Sequence, residues 1–412
     1  MHGRRRFLQL LSRLTAGFAA LTLRTGHAGS APQALPTPIS RMPDADPIKL
    51  FLCGDVMTGR AIDQILPHPS KPQLYEPHMR NALGYLALAE RANGRIPRPV
   101  AFPYVWGDAL AELERRKPTA RIINLETSVT RSDTPWRKVI NYRMHPDNVG
   151  CLASAGIDCC TLANNHVLDW HHDGLAETLA TLRREGIAIA GAGSDLEAAQ
   201  SPAILPLANG ARILVFSAAT DDSGVPADWA ATAKRPGVHF LEDLSSKTTA
   251  RIVALVQRHR RSGDRVVVSL HWGGNWGYAI PREQSAFAHA LIDDAGVDIV
   301  HGHSSHHPRA IEIYRDRLIL YGCGDFLNDY EGIGGHEEFR GELGLMYFPT
   351  LDSATGRLRE LELVATRIRR FRVGRAGRED RAWLLARSRR EYQAFGCDVE
   401  QDADGAFAVR WS

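Results

Sequence analysis

The residues with the most distinctive chemistry in this sequence are carboxylates, amides and imidazoles that directly follow short apolar runs. Five such places occur along the chain: Gly54-Asp55, Asn124-Leu125-Glu126, Asn164-Asn165-His166 with Asp169, His271-Trp272-Gly273, and Gly302-His303 with His306. Carboxylate oxygens, amide oxygens and imidazole nitrogens are the ligands that divalent transition metals take in proteins. The pattern therefore predicts a site for one or two divalent ions, with Mn, Fe or Zn as the candidates.

Buried strands must bring these distant side chains together. Seven apolar runs rich in Val, Ile and Leu are typical of strands buried on both faces; they are residues 48–53, 120–125, 157–163, 187–190, 213–218, 266–270 and 297–300. Four amphipathic stretches predict helices, at residues 107–116, 173–185, 245–260 and 284–295. The alternation predicts an α/β fold, in which the carboxyl ends of the strands open onto a common crevice.

The pattern changes after residue 310. Hairpin-like strands are predicted at residues 310–314, 318–321, 345–348 and 358–366. We expect them to form an antiparallel edge that completes the same domain.

Composition places the chain among ordinary globular proteins. Its 412 residues are 44% hydrophobic and 24% charged, which excludes wholesale disorder, collagen and coiled coils. The six cysteines have no CxxC spacing, which excludes a zinc ribbon and leaves a disulfide open.

Charge is distributed unevenly along the chain. The net charge is +3, but residues 1–31 hold five arginines and no acid, so the rest of the chain is close to neutral. A near-neutral body argues against nucleic acid as a partner, because such binding depends on neutralised phosphates. Ten arginines and two acids between Arg367 and Arg390 predict a basic C-terminal extension, residues 367–412, which either contacts an anionic surface or polymer or is a solvated face.

The first residues are typical of an export signal. Arg4-Arg5-Arg6 precede Phe7-Leu8 and an apolar stretch that Arg13 interrupts, a pattern that resembles a twin-arginine signal over residues 1–31. Residues 32–47 follow as a Pro-rich linker. We therefore expect export by the twin-arginine pathway to the periplasm or cell envelope. The alternative is an uncleaved N-terminal membrane tether.

The ordered motifs of the chain resemble those of the CapA family of capsule-synthesis proteins. They are GDVMTGR, INLET, ANNHVLDW, HWG and GHSSHHP followed by LILYGCGDF, and they cover about residues 48 to 350. The resemblance implies a four-layer α-β-β-α sandwich of the calcineurin-like metallophosphoesterase type, as a single domain over residues 48–366. It also implies an association with poly-γ-glutamate capsules.

The resemblance implies a role for individual residues. It makes metal ligands of Asp55, Glu126, Asn165, His271, His303 and His306. His166 is then a general acid and Asp169 the carboxylate that supports it. Arg60 is a candidate anion contact or, alternatively, a surface cation on the following helix. Trp272 either lines the crevice or packs as core.

Two departures from phosphoesterases bear on the number of ions. Met57 stands where those enzymes carry a histidine, and His303 and His306 are separated by two residues where they have one. A single-metal site and a cavity that binds polymer without cleaving it therefore remain open.

The predicted function is that of an exported, metal-dependent CapA-like protein in the biosynthesis or export of a poly-γ-glutamate-type polymer, with a site like that of a metal-hydroxide hydrolase. The expected partners are an anionic cell-surface polymer and membrane-bound capsule-synthesis proteins. One alternative is a metallophosphoesterase with a small phosphorylated substrate, and another is a non-catalytic polymer-binding or export subunit.

Overall fold

A computed structural model describes residues 46–411, which belong to one compact unit. The predicted export signal and nearly all of the Pro-rich linker lie outside the described residues. Across residues 46–411, no helix combines the length and the apolar character that crossing a membrane requires.

The described residues form 21 strands. In chain order they are β1 (Ile48–Val56), β2 (Ala120–Leu125), β3 (Ser128–Val129), β4 (Arg143–Met144), β5 (Cys159–Thr161), β6 (Ala188–Ala190), β7 (Ala192–Gly193), β8 (Ala203–Pro206), β9 (Arg212–Thr220), β10 (Gly237–Val238), β11 (Phe240–Leu241), β12 (Arg265–His271), β13 (Ile299–His303), β14 (Ile311–Tyr314), β15 (Arg317–Leu320), β16 (Asp325–Leu327), β17 (Leu343–Leu351), β18 (Leu358–Ile368), β19 (Val373–Arg375), β20 (Cys397–Gln401) and β21 (Phe407–Trp411).

Nine α-helices lie between the strands of the described part. They are α1 (Arg60–Asp63), α2 (Ala82–Asn93), α3 (Ala109–Arg116), α4 (Gly150–Ser154), α5 (His171–Arg184), α6 (Leu196–Gln200), α7 (Ser246–His259), α8 (Arg282–Ala295) and α9 (Arg378–Tyr392). The seven predicted apolar runs all form strands and the four predicted amphipathic stretches all form helices, with ends shifted by a few residues.

Two mixed sheets carry the fold. The large sheet has ten strands in the order β20-β21-β18-β17-β1-β2-β5-β6, with β16 beside β1 and β19 beside β18. The small sheet has seven strands in the order β11-β9-β12-β13-β15-β14, with β8 beside β9. Their parallel strands are the predicted apolar runs, so the carboxyl ends of β1, β2 and β5 share one edge, and those of β9, β12 and β13 share another.

Apolar side chains on both faces of the strands hold the sheets between further layers. In β1, Leu50 and Leu52 belong to a core that also contains Val215 of β9 and Val267 of β12, so this core joins the two sheets. Phe51 points to the other face, where it packs in a core with residues of α3 and α5. The outer face of the small sheet is covered by α7 and α8. The period-2 alternation of a doubly buried strand produces this layering.

The C-terminal residues do not form the predicted extension. β18 crosses the expected boundary at residue 366, β21 pairs with β18, and β20 pairs with β21 in the large sheet. Apolar side chains of this segment, such as Val399 and Phe407, are fully buried in the core between the sheets. The expected domain boundary is therefore wrong, because the basic residues alternate with apolar ones that the sheet buries.

The predicted antiparallel edge is confirmed only for the first hairpin. β14 and β15 do form the edge of the small sheet. β17 instead pairs antiparallel with β1 in the interior of the large sheet, and all nine of its residues are buried. A strand that is apolar on both faces is better buried between two neighbours than placed at an edge.

Candidate metal centre

The predicted metal ligands lie at the carboxyl ends of parallel strands. Asp55 of β1 pairs in register with Asn124 of β2 and with Asp325 of β16. His271 of β12 pairs in register with His303 of β13. Because both sheets present the same ends of their strands to one region, side chains from opposite sheets meet there.

Asp55, His271 and His303 form the closest group, which we call the metal centre. One ligand atom from each lies within 4.8 Å of the other two, and all three side chains are buried. The His271 and His303 Nδ1 atoms are 2.8 Å apart, and the His303 Nε2 atom is 2.8 Å from the Ser269 hydroxyl. Burial holds the pKa of both imidazoles well below the usual value. The rings are therefore neutral, the form that binds a metal.

Asp55 contributes a carboxylate that the chain itself leaves poorly compensated. It accepts hydrogen bonds from the Asn124 amide at 2.7 Å and from the Ser304 N–H at 3.2 Å. Burial, together with the nearby Asp325 carboxylate, raises the pKa of Asp55 to about 7. A divalent cation beside this group would favour its charged form.

Glu126 gives the clearest indication of a cation site beside Asp55, His271 and His303. Its side chain is 2% exposed, and its Oε2 atom has no hydrogen-bond partner among residues 46–411. Its Oε1 atom is 3.8 Å from His166 Nε2 and 3.9 Å from His271 Nε2. Burial and the Asp55 carboxylate raise the pKa of Glu126 well above its ordinary value. A buried carboxylate with one unsatisfied oxygen, and the other oxygen near neutral histidines, fits a cation site.

The remaining two predicted ligands are arranged differently. The Asn165 Oδ1 atom is 3.2 Å from His271 Nε2, so Asn165 adjoins the metal centre. His306 instead contacts Asp325, with Nδ1 2.9 Å from Oδ1. Burial alone would lower the pKa of His306, but the Asp325 carboxylate outweighs it and raises that pKa. The residues fit one divalent ion held by Asp55, His271 and His303, while a second ion stays a prediction.

His166 and Asp169 form the pair that the motif predicts. The His166 Nδ1 atom is 2.7 Å from Asp169 Oδ2. Lys138 lies beside both, with its Nζ atom 2.7 Å from Asp169 Oδ1 and 3.3 Å from His166 Nδ1. Burial and the Lys138 ammonium lower the pKa of His166 to about 4. With Nδ1–H donated to Asp169, the Nε2 lone pair is free and faces Glu126.

Three residues of the site are absent from the predicted set. The Asn164 amide donates to Asn124 Oδ1 at 3.1 Å, and Asn124 in turn donates to Asp55, so two amides position the carboxylate. Asn124 lies at the end of β2, two residues before the predicted ligand Glu126, and Asn164 directly precedes the predicted ligand Asn165, so both positions offer a usable signal. Lys138 comes from the segment between β3 and β4, where the sequence offers no such signal.

Arg60 is buried in a network of ion pairs. Its guanidinium donates to Asp329 at 2.6 and 2.8 Å and to Glu76 at 3.0 Å, and it lies 3.7 Å from the centre of the Tyr85 ring. The alternative of a surface cation is therefore wrong. Two carboxylates balance its charge, so nothing in this geometry favours an added anion as its partner.

Trp272 belongs to the core. Its side chain is 1% exposed, donates from Nε1 to the Tyr321 carbonyl at 3.0 Å and stacks on the Tyr321 ring. The prediction that it touches substrate is wrong, because the ring points away from the crevice into the layer beneath α8. Trp276 of the same loop lines a cavity instead.

Two cavities adjoin the metal centre. The inner cavity, of about 220 Å³, is lined by Glu126, Lys138, Asn165, His166 and His271 among others. The outer cavity, of about 460 Å³, is lined by Trp276, the segment 330–334 and Arg340 among others. Four residues line both cavities, namely Ile140, Asn275, His306 and Tyr330. The two cavities are therefore neighbours, and the inner one borders the metal centre at His271.

With this fold and site, the chain belongs to the family described as "Bacterial capsule synthesis protein PGA_cap", whose profile matches residues 49–330. The match spans all five motifs up to His306 and the strands that carry them. The predicted resemblance to CapA proteins is confirmed.

Individual relatives extend this result. A "Probable polyglutamine synthesis accessory protein" of Mycobacterium tuberculosis is 50% identical over 366 residues, which are 88% of this chain and 96% of that protein. The "PGA biosynthesis protein CapA" of Bacillus subtilis is 25% identical over 296 residues, 71% of this chain and 66% of its own length. The "Capsule biosynthesis protein CapA" of Bacillus anthracis is 25% identical over 283 residues, 68% and 60% of the two chains.

Proposed function

We propose that this chain is an exported accessory protein for the synthesis or export of a poly-γ-glutamate-type polymer and that it carries a metal-dependent hydrolase-like site. The names of its relatives support the polymer. One observation carries the site: a buried Asp55-His271-His303 group, an unsatisfied Glu126 oxygen and a His166-Asp169 pair lie together, and His271, Glu126 and His166 line one cavity.

The fold proposed for this function is the four-layer α-β-β-α sandwich of the calcineurin-like metallophosphoesterases. The three apolar cores support it, because one lies between the two sheets and the other two lie between a sheet and its helices. Strand ends from both sheets then frame the site, as the positions of Asp55 and His271 illustrate.

The proposed reaction is hydrolysis of an amide link of the polymer. The oxygen of water attacks the carbonyl carbon, the carbon–nitrogen bond breaks, and a carboxylate and an amine are released. A bound divalent ion supplies Lewis-acid stabilisation of the negative charge that develops on oxygen. His166 Nε2 accepts the proton of water and then, as general acid, gives it to the leaving nitrogen, while Asp169 and Lys138 fix the ring.

Two further candidates use the same residues. A small phosphorylated substrate fits the inner cavity, whose volume is only about 220 Å³, and His166 would then protonate an alkoxide. A non-catalytic polymer-binding subunit is favoured by Met57, which puts a thioether in contact with the Tyr330 hydroxyl at 3.4 Å where a second metal ligand would stand.

Metal content is the decisive measurement. The purified chain is expected to hold a divalent metal by elemental analysis, and His271→Ala to lose it. His259→Ala, at the carboxyl end of α7 and outside the site, is the matched control. Full metal content in His271→Ala would contradict the ligand assignment.

Turnover separates the three candidates. Wild type should shorten poly-γ-glutamate and release new amino groups, and His166→Ala should do neither while keeping its metal. Cleavage of a generic phosphodiester without effect on the polymer would favour the phosphoesterase. Polymer binding with no turnover of either compound would favour the non-catalytic subunit.

The proposed export is tested separately from the site. Residues 1–47 fused to a folded reporter should direct it to the periplasm or cell envelope, and replacing Arg4 to Arg6 with lysine should abolish this. Retention of the reporter in the cytoplasm would contradict the proposed localisation. Membrane-bound capsule-synthesis proteins are the proposed protein partners.

A further inference from the structure

The hairpin between β18 and β19 displays arginines on a tight turn. Arg369 N–H donates to the Arg372 carbonyl at 3.0 Å and Arg372 N–H donates back at 3.3 Å, which closes a two-residue turn. Its central residues Arg370 and Phe371 have φ values of 57° and 53°. Such turns favour Asn and Gly, so an Arg-Phe pair needs support from its surroundings.

Glu331 provides that support. Its carboxylate accepts hydrogen bonds from the N–H groups of Arg370 at 2.8 Å and of Phe371 at 2.6 Å. Glu331 is 7% exposed and also lines the outer cavity, while the Phe371 ring is fully buried. The backbone of the turn is therefore held against the wall of that cavity, which fixes the positions from which its arginine side chains extend.

Five arginines line a surface groove of about 330 Å³ beside this turn, which we call the arginine groove. They are Arg367, Arg369, Arg370, Arg372 and Arg375, and the one acid among the lining residues is Asp380. Three of the five have carboxylate partners: Arg367 pairs with Asp380, Arg372 with Asp108 and Arg375 with Glu112.

Arg369 and Arg370 are different. Both are exposed, and neither has a carboxylate within ion-pair distance in residues 46–411. Two guanidinium groups without a carboxylate partner, carried on a fixed turn, are suited to binding carboxylates, which they contact with paired N–H donors.

The arginine groove adjoins the outer cavity. Arg367 lines both this groove and the outer cavity. The outer cavity in turn shares residues such as Asn275 and His306 with the inner cavity. A ligand seated on the arginines would therefore lie beside the cavities that lead towards Glu126 and His271.

We propose that the arginine groove is the docking site for a flexible chain of carboxylates, whose end then follows the outer cavity to the metal centre. The inference rests on the proposed function and adds to it a site in residues 367–375, beyond the part matched by the family profile. The concave groove, its arginines and the cavity next to it favour a single anionic polymer chain over a flat anionic lipid surface.

Polymer binding by charge-removal variants tests this assignment. The full chain is titrated with poly-γ-glutamate at low ionic strength, and Arg369→Gln/Arg370→Gln is compared with Arg183→Gln/Arg282→Gln. The control arginines are exposed on α5 and α8 and have no ion pair in the described part of the chain. The groove variant should bind about fivefold more weakly, since it loses two solvent-exposed charge contacts, each of which contributes modestly in water. The control should bind like wild type.

Each other result has a distinct meaning. Equal binding by the groove variant and wild type overturns the docking site but leaves the proposed function intact. No binding of polymer by wild type overturns the proposed polymer as well. Binding of phosphatidylglycerol vesicles without binding of polymer shows that the arginines face a membrane, which also overturns the proposal. Unchanged metal content in the groove variant confirms that any loss of affinity does not come from the metal centre.

Discussion

Two buried clusters of charged side chains lie on either side of Tyr142. The Tyr142 ring is 4.3 Å from the His166 ring between centroids, and its other neighbour is the Arg60 guanidinium, 4.8 Å from its centre. On the Arg60 side, two carboxylates face one cation of the chain itself. On the His166 side, Asp55 and Glu126 face neutral imidazoles.

The two clusters differ in how neighbouring charges shift the pKa values of their buried groups. Burial disfavours the charge of Arg60, but the Asp329 carboxylate outweighs this and raises the pKa of Arg60. At the metal centre, burial and neighbouring acids raise the pKa of both Asp55 and Glu126. The Arg60 cluster contains the cation that its carboxylates need, whereas the buried carboxylates of the metal centre form a group that could hold a metal ion.

The largest effect is expected from breaking the self-sufficient cluster. Arg60→Met leaves Asp329 and Glu76 buried without their cation, and we expect a loss of about 3–5 kcal/mol in the free energy of unfolding. Denaturant titration measures it. The triple variant Arg60→Met/Asp329→Asn/Glu76→Gln should recover much of the loss. A single variant as stable as wild type would show that this network does not stabilise the fold.

The metal centre should respond in the opposite way, by gaining stability from an added cation. After treatment with a chelator, Mn²⁺ or Zn²⁺ at about 100 times its dissociation constant should stabilise wild type by about 2.7 kcal/mol. A rise in Tm reports this gain. His303→Ala should show little of it, and an equal rise in both proteins would mean that the ion binds elsewhere.

His239 is a buried histidine outside the two clusters, and it makes the stability of the fold depend on pH. It is 4% exposed and faces the Ser217 carbonyl, and burial lowers its pKa to about 4. The unfolded chain therefore takes up a proton that the folded chain refuses, so stability falls as the pH drops below about 6.5. Between pH 6.5 and 5 we expect His239 to account for about 1.5 kcal/mol of this loss. His239→Gln should flatten the profile, and an unaltered profile would contradict the assignment.

The smallest effect concerns the uncompensated carboxylate. The folded pKa of Asp55, about 7, lies above the unfolded value, so its charged form opposes folding increasingly as the pH rises towards neutrality. Asp55→Asn should accordingly stabilise the metal-free protein by on the order of 1 kcal/mol at pH 8 and by less at pH 6. Thermal unfolding at both pH values checks this. If Asp55→Asn instead destabilised the metal-free protein at pH 8, the charge of Asp55 would not oppose folding. The contrast with the self-compensated Arg60 cluster would then be contradicted.

The sequence was sufficient to predict the strands and most of the metal centre. Runs such as 48–53 and 266–270 are apolar on both faces, so they had few alternatives to a doubly buried strand. Once the strands were assigned, the rule that their carboxyl ends share a crevice was enough to bring Asp55 and His271 together.

Other features depend on contacts that no local pattern reveals. Asp329 meets Arg60 across 269 positions, and Lys138 reaches Asp169 from an irregular segment. Trp272 follows a ligand directly, yet it stands just after the end of β12 and its ring packs in the core with Tyr321 and Phe287. The charges of the segment after residue 366 predict a basic extension. Its alternating apolar residues, however, determine its place in the large sheet.

The position of β17 beside β1 has a practical consequence. One side of β1 stays without its partner until a strand some 290 residues later has been synthesised, so the large sheet closes only when nearly the whole chain has left the ribosome. A shortened chain ending at residue 330, where the family match stops, would keep the apolar β1 but lose β17. Its open edge would invite pairing between molecules, and aggregation is the expected fate of such a fragment.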